Sequence, residues 1–443
     1  MTYLVKPDLG ILTDSNKSYT PQEFIENIDK FPQKSYILYL CLWFPLIWPL
    51  MKDWREVKSF QRKLQPDKRY HLTVNQRNEQ LISIKLSVNN RTHIFVEASE
   101  LLGYRNPMHP MLLEGDAAYL DWLLEKSYYK DKYSKQVTEP VYSPAYEAKQ
   151  LFGNRSKQEL MKQPKWNTFT PDLKLQLKAA CCNPALHGVA NDLKRVYDVV
   201  YDYDCNSMYP YILANLKMLP DAADAKHYDI LPMRTPENTM VLCDGVCYLQ
   251  NQIIIDHYGE GGWIIPFTFP NPWINEMYSA FRKKKELKES GNKEHYRYHK
   301  TKMNSFIGMF AQRNQHNRRE IFILVTSLAR QILNQQLIKA EEKGCHVLSW
   351  NTDGFIVDKP LPDFTDSDKL GGWRLDEVLH HASIYAFNRI ACDEKISISG
   401  LPAFCFDAEH PGGVYYRMSF KSIYEMPELI PVRIDLEEEY GQG

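Results

Sequence analysis

"YDYDCNSMYP", residues 201–210, sets two aspartates, an amide and a hydroxyl among three tyrosines ahead of a proline. The residues before it, "RVYDVV", alternate apolar and polar positions, so the stretch reads as the end of a strand. A buried strand end seldom carries this much polar chemistry. One carboxylate there is an ordinary feature. Its meaning depends on whether the rest of the chain supplies a partner.

The 443 residues are enough for two or three domains with sizeable cores. Apolar residues at 44% and charged residues at 25% mark a folded globular protein rather than a disordered one. A formal net charge of −1 leaves room for a local basic groove but argues against strongly processive binding of DNA by bulk charge. The nine cysteines include no paired CxxC with histidines at zinc spacing, so neither a metal cluster nor a disulfide framework is expected. A reducing, cytoplasmic setting fits. The start "MTYLVKPDLG" has no basic region followed by an apolar run, so no signal peptide is expected. "YILYLCLWFPLIWPLM" (36–51) is too short to span a bilayer and holds Pro45 and Pro49. It reads as a buried strand and turn, with no membrane role.

Along the chain, "QLISIKLSVNNRTHIFVEASELL" (80–102) alternates around "NNR" and reads as a hairpin. "DAAYLDWLLEKSYY" (116–129) has helical spacing, residues 130–178 read as an irregular polar connection, and a domain boundary falls near 185. Beyond it come the strand, a basic helix "INEMYSAFRKKKELKES", a turn at "GN" (291–292) and an antiparallel helix "KEHYRYHKTKMNSFIGMF". An amphipathic helix "TSLARQILNQQLIKAEEKG" follows, with Gly344 as its C-terminal cap. "HVLSW" and "FIVD" then bracket "NTDG" as a hairpin with a polar tip. This order gives an α+β domain.

Asp353 sits at that tip. Taken alone it reads as a turn aspartate bonded to its own backbone. Together, Asp204 and Asp353 are two strand-end carboxylates that can meet in one sheet and bridge two divalent cations. Phosphoryl transfer to a hydroxyl needs that arrangement, with one cation activating the attacking hydroxyl and the other neutralising the leaving oxygens. Lys293, Arg297, Lys300 and Asn304 lie at helical spacing on one face, with Gly308 one turn further. The alternative is a solvated basic face. The amide and glycine that end the stripe favour a surface approached closely by a ligand.

These residues resemble a known family. "DCNSMYP" looks like the first polymerase motif of family B DNA polymerases, DxxSLYP. "KTKMNSFIGMF" resembles the second, KxxxNSxYGxF, and "NTDG" the third, the DTDS hairpin. "TSLAR" ahead of the hairpin, with "LGGW" (370–373) and "ISISGLP" (396–402) beyond it, is similar to the protein-primed branch of bacteriophages. The likeness extends over residues 185 to 402. It implies that Asp204 and Asp353 bind two Mg²⁺ ions, for which Mn²⁺ can substitute, with the Cys205 backbone carbonyl as a further ligand. Tyr209 would lie under the incoming sugar and exclude a 2′-hydroxyl. Lys300, with Arg297 and Lys293, would grip the triphosphate. Asn304 and Gly308 would contact the nascent pair, and Thr326 and Arg330 the primer or template. The partners implied are primer-template DNA, deoxynucleoside triphosphates and a priming protein, in a bacterial or phage-infected cell. Asp202 shares the strand face of Asp204 and reads as structural.

The chain also departs from the family. Asn351 and Gly354 replace the first aspartate and the serine of the third motif, and Ile307 replaces the tyrosine of the second. The segment between Phe310 and Thr326 is too short for the insertion that encircles DNA in processive relatives. "NRI" (388–390) stands where they carry a lysine–tyrosine primer clamp. The N-terminal part resembles the family's proofreading exonuclease only in fragments, "SYTPQEFIENI" and "HIFVEASELLGY", with Asp116 as a relic of its third acidic motif.

The fold expected is a right-hand polymerase: palm over 186–270 and 318–385, fingers over 271–317, a small thumb over 386–443. A shortened, catalytically dead RNase H-like exonuclease domain over 1–185 precedes it. The function expected is a DNA polymerase without 3′–5′ proofreading and of low processivity. The alternatives are a template-independent or protein-primed nucleotidyltransferase, as in phage defence, and a non-enzymatic nucleic-acid-binding descendant.

Overall fold

The computed structural model describes eight strands between residues 4 and 97, residues 166–398 apart from short breaks, residues 405–419 and 428–433, and the single positions Glu23 and Ala148. The chain divides into two compact units. One joins Met1–Ser143 to Ser397–Gly443, and the other is Pro144–Ile396.

In the first unit the strands are β1 (Leu4–Lys6), β2 (Ile11–Thr13), β3 (Ser18–Tyr19), β4 (Ser35–Leu38), β5 (Arg62–Lys63), β6 (Tyr70–Arg77), β7 (Gln80–Val88) and β8 (Arg91–Glu97). They form one sheet in the order β3-β2-β1-β4-β8-β7-β6-β5. Strand β4 runs parallel to both β1 and β8, and the other pairs are antiparallel. The expected hairpin is present, with Val88 opposite Arg91. The apolar stretch at 36–51 contributes its first residues to β4. Its remainder, the helix expected at 116–129 and Asp116 lie outside the described residues. A hairpin of Val414–Ser419 and Glu428–Arg433 belongs to the same unit.

In the second unit, helix α1 (Pro171–Cys182) follows a short 3-10 turn at Trp166–Thr168. Its first residues fall in the stretch expected to be an irregular connection (130–178), but the start signals of a helix are there. Thr170 caps the helix by accepting from Leu173 N–H at 3.2 Å, and Pro171 occupies the first turn. Leu173, Leu177 and Ala180 bury its inner face. Strands β9 (His187–Val189) and β10 (Tyr197–Cys205) follow, then helix α2 (Met208–Asn215). A pair of short strands, β11 (Met218–Leu219) and β16 (Phe269–Pro270), flanks a four-stranded sheet that the sequence reading did not anticipate. Its strands are β12 (Lys226–Tyr228), β13 (Thr239–Cys243), β14 (Val246–Tyr248) and β15 (Gly262–Pro266), and β13 is buried throughout.

Helices α3 (Ile274–Glu289) and α4 (Lys293–Gly308) are joined at the "GN" turn, where Gly291 takes φ +69° and Asn292 accepts from His295 N–H. Helix α5 runs from Arg319 to Glu342 and starts a full turn and more before the expected Thr326. Its entry is fixed by buried charge. Arg318 is 2% exposed, pairs with Asp221 at 3.1 Å and Glu320 at 3.3 Å, and lies over the Phe269 ring. Such a cluster leaves no exposed polar start for sequence patterning to detect. Gly344 closes the helix at φ +79°, donating to Glu341 while Cys345 donates to Ala340, a Schellman cap. By length and hydropathy alone α5 could cross a membrane, but 50% of its most apolar window is buried inside the protein.

Strands β17 (Val347–Asn351), β18 (Gly354–Val357), β19 (Trp373–Ala386), β20 (Arg389–Ala391) and β21 (Ile396–Ile398) complete the seven-stranded central sheet, which runs β21-β20-β19-β10-β18-β17-β9. Its core includes Tyr203, Val347, Phe355 and Val357 on the side of α5, with Leu333 and Leu337 from that helix. Asn388, in the β19–β20 turn, takes φ +55° and Arg389 is 1% exposed, so "NRI" forms a tight turn with a buried cation rather than an open clamp.

The "LGGW" segment docks on the end of β10. Asn206 donates to the Gly372 carbonyl and Gly371 donates back to Asn206, each at 2.8 Å. Gly371 has φ +75°, and a methyl there would stand 2.2 Å from carbons of the Tyr211 ring. Both the backbone and the close approach require glycine. Gly371→Ala is expected to destabilise the protein by about 2 kcal/mol or more, combining left-handed strain with overpacking. Denaturant unfolding measures this, and an unchanged midpoint contradicts the docking.

Candidate active site

Strand pairing brings the two carboxylates together. β10 and β18 are antiparallel, with Tyr203 opposite Phe355 and Asp204 opposite Gly354, so Asp204 stands beside the tip that carries Asp353. The Asp353 carbonyl accepts from Cys205 N–H at 2.7 Å, which fixes the buried Cys205 peptide next to the pair. A Cβ at position 354 would lie 2.9 Å from the Tyr203 carbonyl oxygen, so the glycine is set by the close approach of β10. Thr352, ahead of Asp353, takes φ +54°, an uncommon backbone for a β-branched residue.

Burial, reinforced by the charge of Asp353, pushes the Asp204 carboxyl up to about 7, against the pull of Arg374 and Lys300. Burial likewise raises Asp353 to about 6, with Lys300 and Lys284 opposing it. Two oxyanion donors held in a partly dry setting, each short of compensating charge, form a hard-oxygen donor set that suits a divalent cation. Elsewhere in this unit Cys243, Asp244 and Glu260 bring ligand atoms within 4.8 Å of one another. There the thiol donates to the Gly261 carbonyl and the two carboxylates are exposed, as surface acids usually are.

Cations approach the pair from two helices and one strand. Lys300, exposed on α4, acts on both carboxylates through space. Lys284, on α3, donates to Ser207 Oγ at 2.7 Å; burial and the charges of Lys300 and Arg374 press its pKa down to about 8. Arg374, opposite Asp204 on β19, contacts Asp204 at 3.4 Å and Asp376 at 2.7 Å. Lys284, Lys285, Lys288 and Arg374 line a cleft of about 290 Å³ together with Glu289 and Asp368, both of which pair with Lys285. The lining keeps a net positive charge, which suits an anion.

Of the residues singled out in the sequence, Asp204, Asp353, Tyr209 and Lys300 converge. Tyr209 packs half-buried against the α2–α5 core and bonds Thr352; burial and the charge of Asp353 push its phenol up to about 12. Arg330 donates to Ser327 Oγ at 2.7 Å and its charge is felt at Tyr209. Lys293 and Arg297 lie on α4 with Lys300, and Asn304 and Gly308 continue that helix, both exposed. Thr326 does not join the group. It is 6% exposed, and its hydroxyl donates back to the Phe322 and Ile323 carbonyls of its own helix. Asp202 points elsewhere, bonding Lys395 at 3.1 Å. Lys284 and Arg374 were missed: one hides in a lysine run, and the other becomes visible only through strand register.

No family model matches the chain, and no curated protein matches it. Solved structures do. Phi29 DNA polymerase complexed with primer-template DNA and incoming nucleotide substrates is similar at a TM-score of 0.59, with 10% identity, over 95% of this chain and 95% of that one. Its post-translocation complex with primer-template DNA gives 0.59 and 11%, over the same shares. Its complex with single-stranded DNA gives 0.56 and 12%, over 86% and 82%. The fold is therefore similar to that of phi29 DNA polymerase.

Both site carboxyls titrate above the value near 3.9 of an unfolded aspartate, so their ionisation weakens folding. The cost is absent below about pH 4 and complete above about pH 7. Asp353→Asn is expected to melt higher than wild type at pH 8, with a gain that shrinks toward pH 4. Mg²⁺ is expected to stabilise the wild type more than the variant. Thermal unfolding across pH and Mg²⁺ measures both, and a variant less stable at pH 8 contradicts the charge repulsion.

Proposed function

We propose that this protein is a DNA polymerase that adds deoxynucleotides by two-metal phosphoryl transfer, with Asp204 and Asp353 as the metal-binding carboxylates. The observation that carries this reading is the half-buried Asp204–Asp353 pair, within the field of Lys300 and bordered by a cleft of net positive lining. Two bound divalent cations would activate the attacking hydroxyl and neutralise the leaving oxygens. The chain's own residues do the rest. Asp204 and Asp353, with the Cys205 carbonyl, hold the ions. Lys300 and Lys284 bind and orient the triphosphate, with Arg297 and Lys293 further along the α4 face. The Tyr209 ring lies under the sugar, and Asn304, Gly308 and Arg330 face primer, template or nascent pair.

In this reading palm, fingers and thumb take the ranges expected from the sequence, and the N-terminal region is an exonuclease-like domain without proofreading. Helix α5 starts at Arg319, soon after Met309–Ala311, which leaves little chain for an element that encircles DNA. That short link supports low processivity. It equally supports the second reading, a nucleotidyltransferase that needs no template.

The test is incubation with Mg²⁺ or Mn²⁺ and each nucleotide set, with and without a primed template, and sizing of the products. Template-directed extension with deoxynucleotides is expected. Extension that ignores the template selects the second reading, and no transfer at all refutes the proposal. Asp204→Ala and Asp353→Ala should each lower incorporation at least ~10³-fold while the fold survives. Near wild-type rates in either variant contradict the assignment.

Sugar choice tests Tyr209. A packed ring under C2′ rejects an added oxygen by overlap, at a cost of roughly 2–4 kcal/mol by analogy with overpacked cores. Tyr209→Ala is expected to raise ribonucleotide use relative to deoxynucleotide use about thirty-fold or more. If Tyr209 serves only as packing, both rates fall together and their ratio stays fixed.

A further inference from the structure

Arg374 stands where a metal's charge would be needed. Its Nη2 lies 2.7 Å from Asp376 and 3.4 Å from Asp204, so Asp376 is the firm anchor and Asp204 the loose one. Among the described residues it is the one cation in an ion pair with Asp204; Lys300 and Lys284 act on that carboxylate through space. The guanidinium is also poorly satisfied. Its Nε is buried and has no acceptor among the described residues, a posture that costs free energy. The same side chain borders the cleft with Lys284, Lys285 and Lys288, where Glu289 and Asp368 leave the lining net positive.

We propose that Arg374 is a nucleotide-binding residue with two stations. Before loading, its guanidinium neutralises Asp204 in place of a cation. When divalent cations take Asp204, like-charge repulsion drives the guanidinium off that carboxylate. It stays tethered to Asp376 and turns into the cleft, where it pairs with a phosphate of the incoming nucleotide. Arginine suits both stations, because its planar fork meets carboxylate and phosphate with the same geometry. Arg374 therefore opposes metal alone and assists metal with nucleotide. This inference rests on the metal site proposed above.

Equilibrium binding tests it without turnover. Calorimetry with Mn²⁺ alone, and with dATP in the presence of Ca²⁺, compares wild type, Arg374→Ala, Arg374→Gln and Arg374→Lys; Arg374→Gln serves if the alanine variant does not fold. The uncharged variants are expected to bind Mn²⁺ about three- to tenfold tighter than wild type and dATP about tenfold weaker. Arg374→Lys, which keeps the charge, should leave Mn²⁺ affinity near wild type and recover part of the dATP affinity. A residue that merely braces Asp204 gives the opposite pattern, with Mn²⁺ and dATP both weakened. Mn²⁺ binding no tighter in the uncharged variants, or dATP binding unchanged, overturns the proposal. Asp204→Asn separates the two levels: if it binds Mn²⁺ as wild type does, the metal site itself is wrong and both readings fall.

Discussion

Antiparallel pairing of β10 with β18 holds Asp204 and Asp353 within one another's field, in a half-buried setting that screens them only in part. Carboxylates in that relation repel, and burial adds to the cost of ionising them. The cations around them answer this constraint: Lys300 from α4, Lys284 from α3 and Arg374 from β19. None of the three removes the strain, since both carboxyls still titrate well above the ordinary range. What remains is a standing affinity for added positive charge, which a hard divalent cation meets better than a lysine.

The supporting structure serves the same pair. Glycine at 354 lets β18 approach the Tyr203 carbonyl, and glycine at 371 lets the "LGGW" loop seat against Tyr211 and bond Asn206. One holds Asp353 from the hairpin side, the other holds the chain leaving Asp204. Lys284 reaches across to Ser207, which itself sits at φ 60° where the strand turns into α2. The contact ties the α3–α4 hairpin to the strand end, so cationic helix and acidic strand meet within the same unit.

Much of this was legible in the sequence. Alternation in "RVYDVVYDYD", the tight turn in "NTDG" and the helix–turn–helix around "GN" each follow from local periodicity and turn chemistry, and each element is present. Locally polar elements were harder. Helix α1 reads as a polar linker because its inner face is only Leu173, Leu177 and Ala180, and the strands of the small sheet around β13 carry no clear alternation. Arg374 was invisible for a different reason. Only register across β10 and β19, including the bulge between Asp202 and Tyr203, sets it opposite Asp204. At Thr326 the motif says nothing of the hydroxyl's local partners, which are the Phe322 and Ile323 carbonyls of its own helix.

The central claim is that the β10–β18 pairing builds a two-cation site. Crystals soaked with Mn²⁺ and a non-hydrolysable deoxynucleoside triphosphate, recorded at the manganese absorption edge, test it most directly. Two anomalous peaks bridged by the carboxylates of Asp204 and Asp353 are expected, with the triphosphate running from them toward Lys300. Peaks confined to other carboxylates, such as Asp244 and Glu260, or no peak between Asp204 and Asp353, would contradict it.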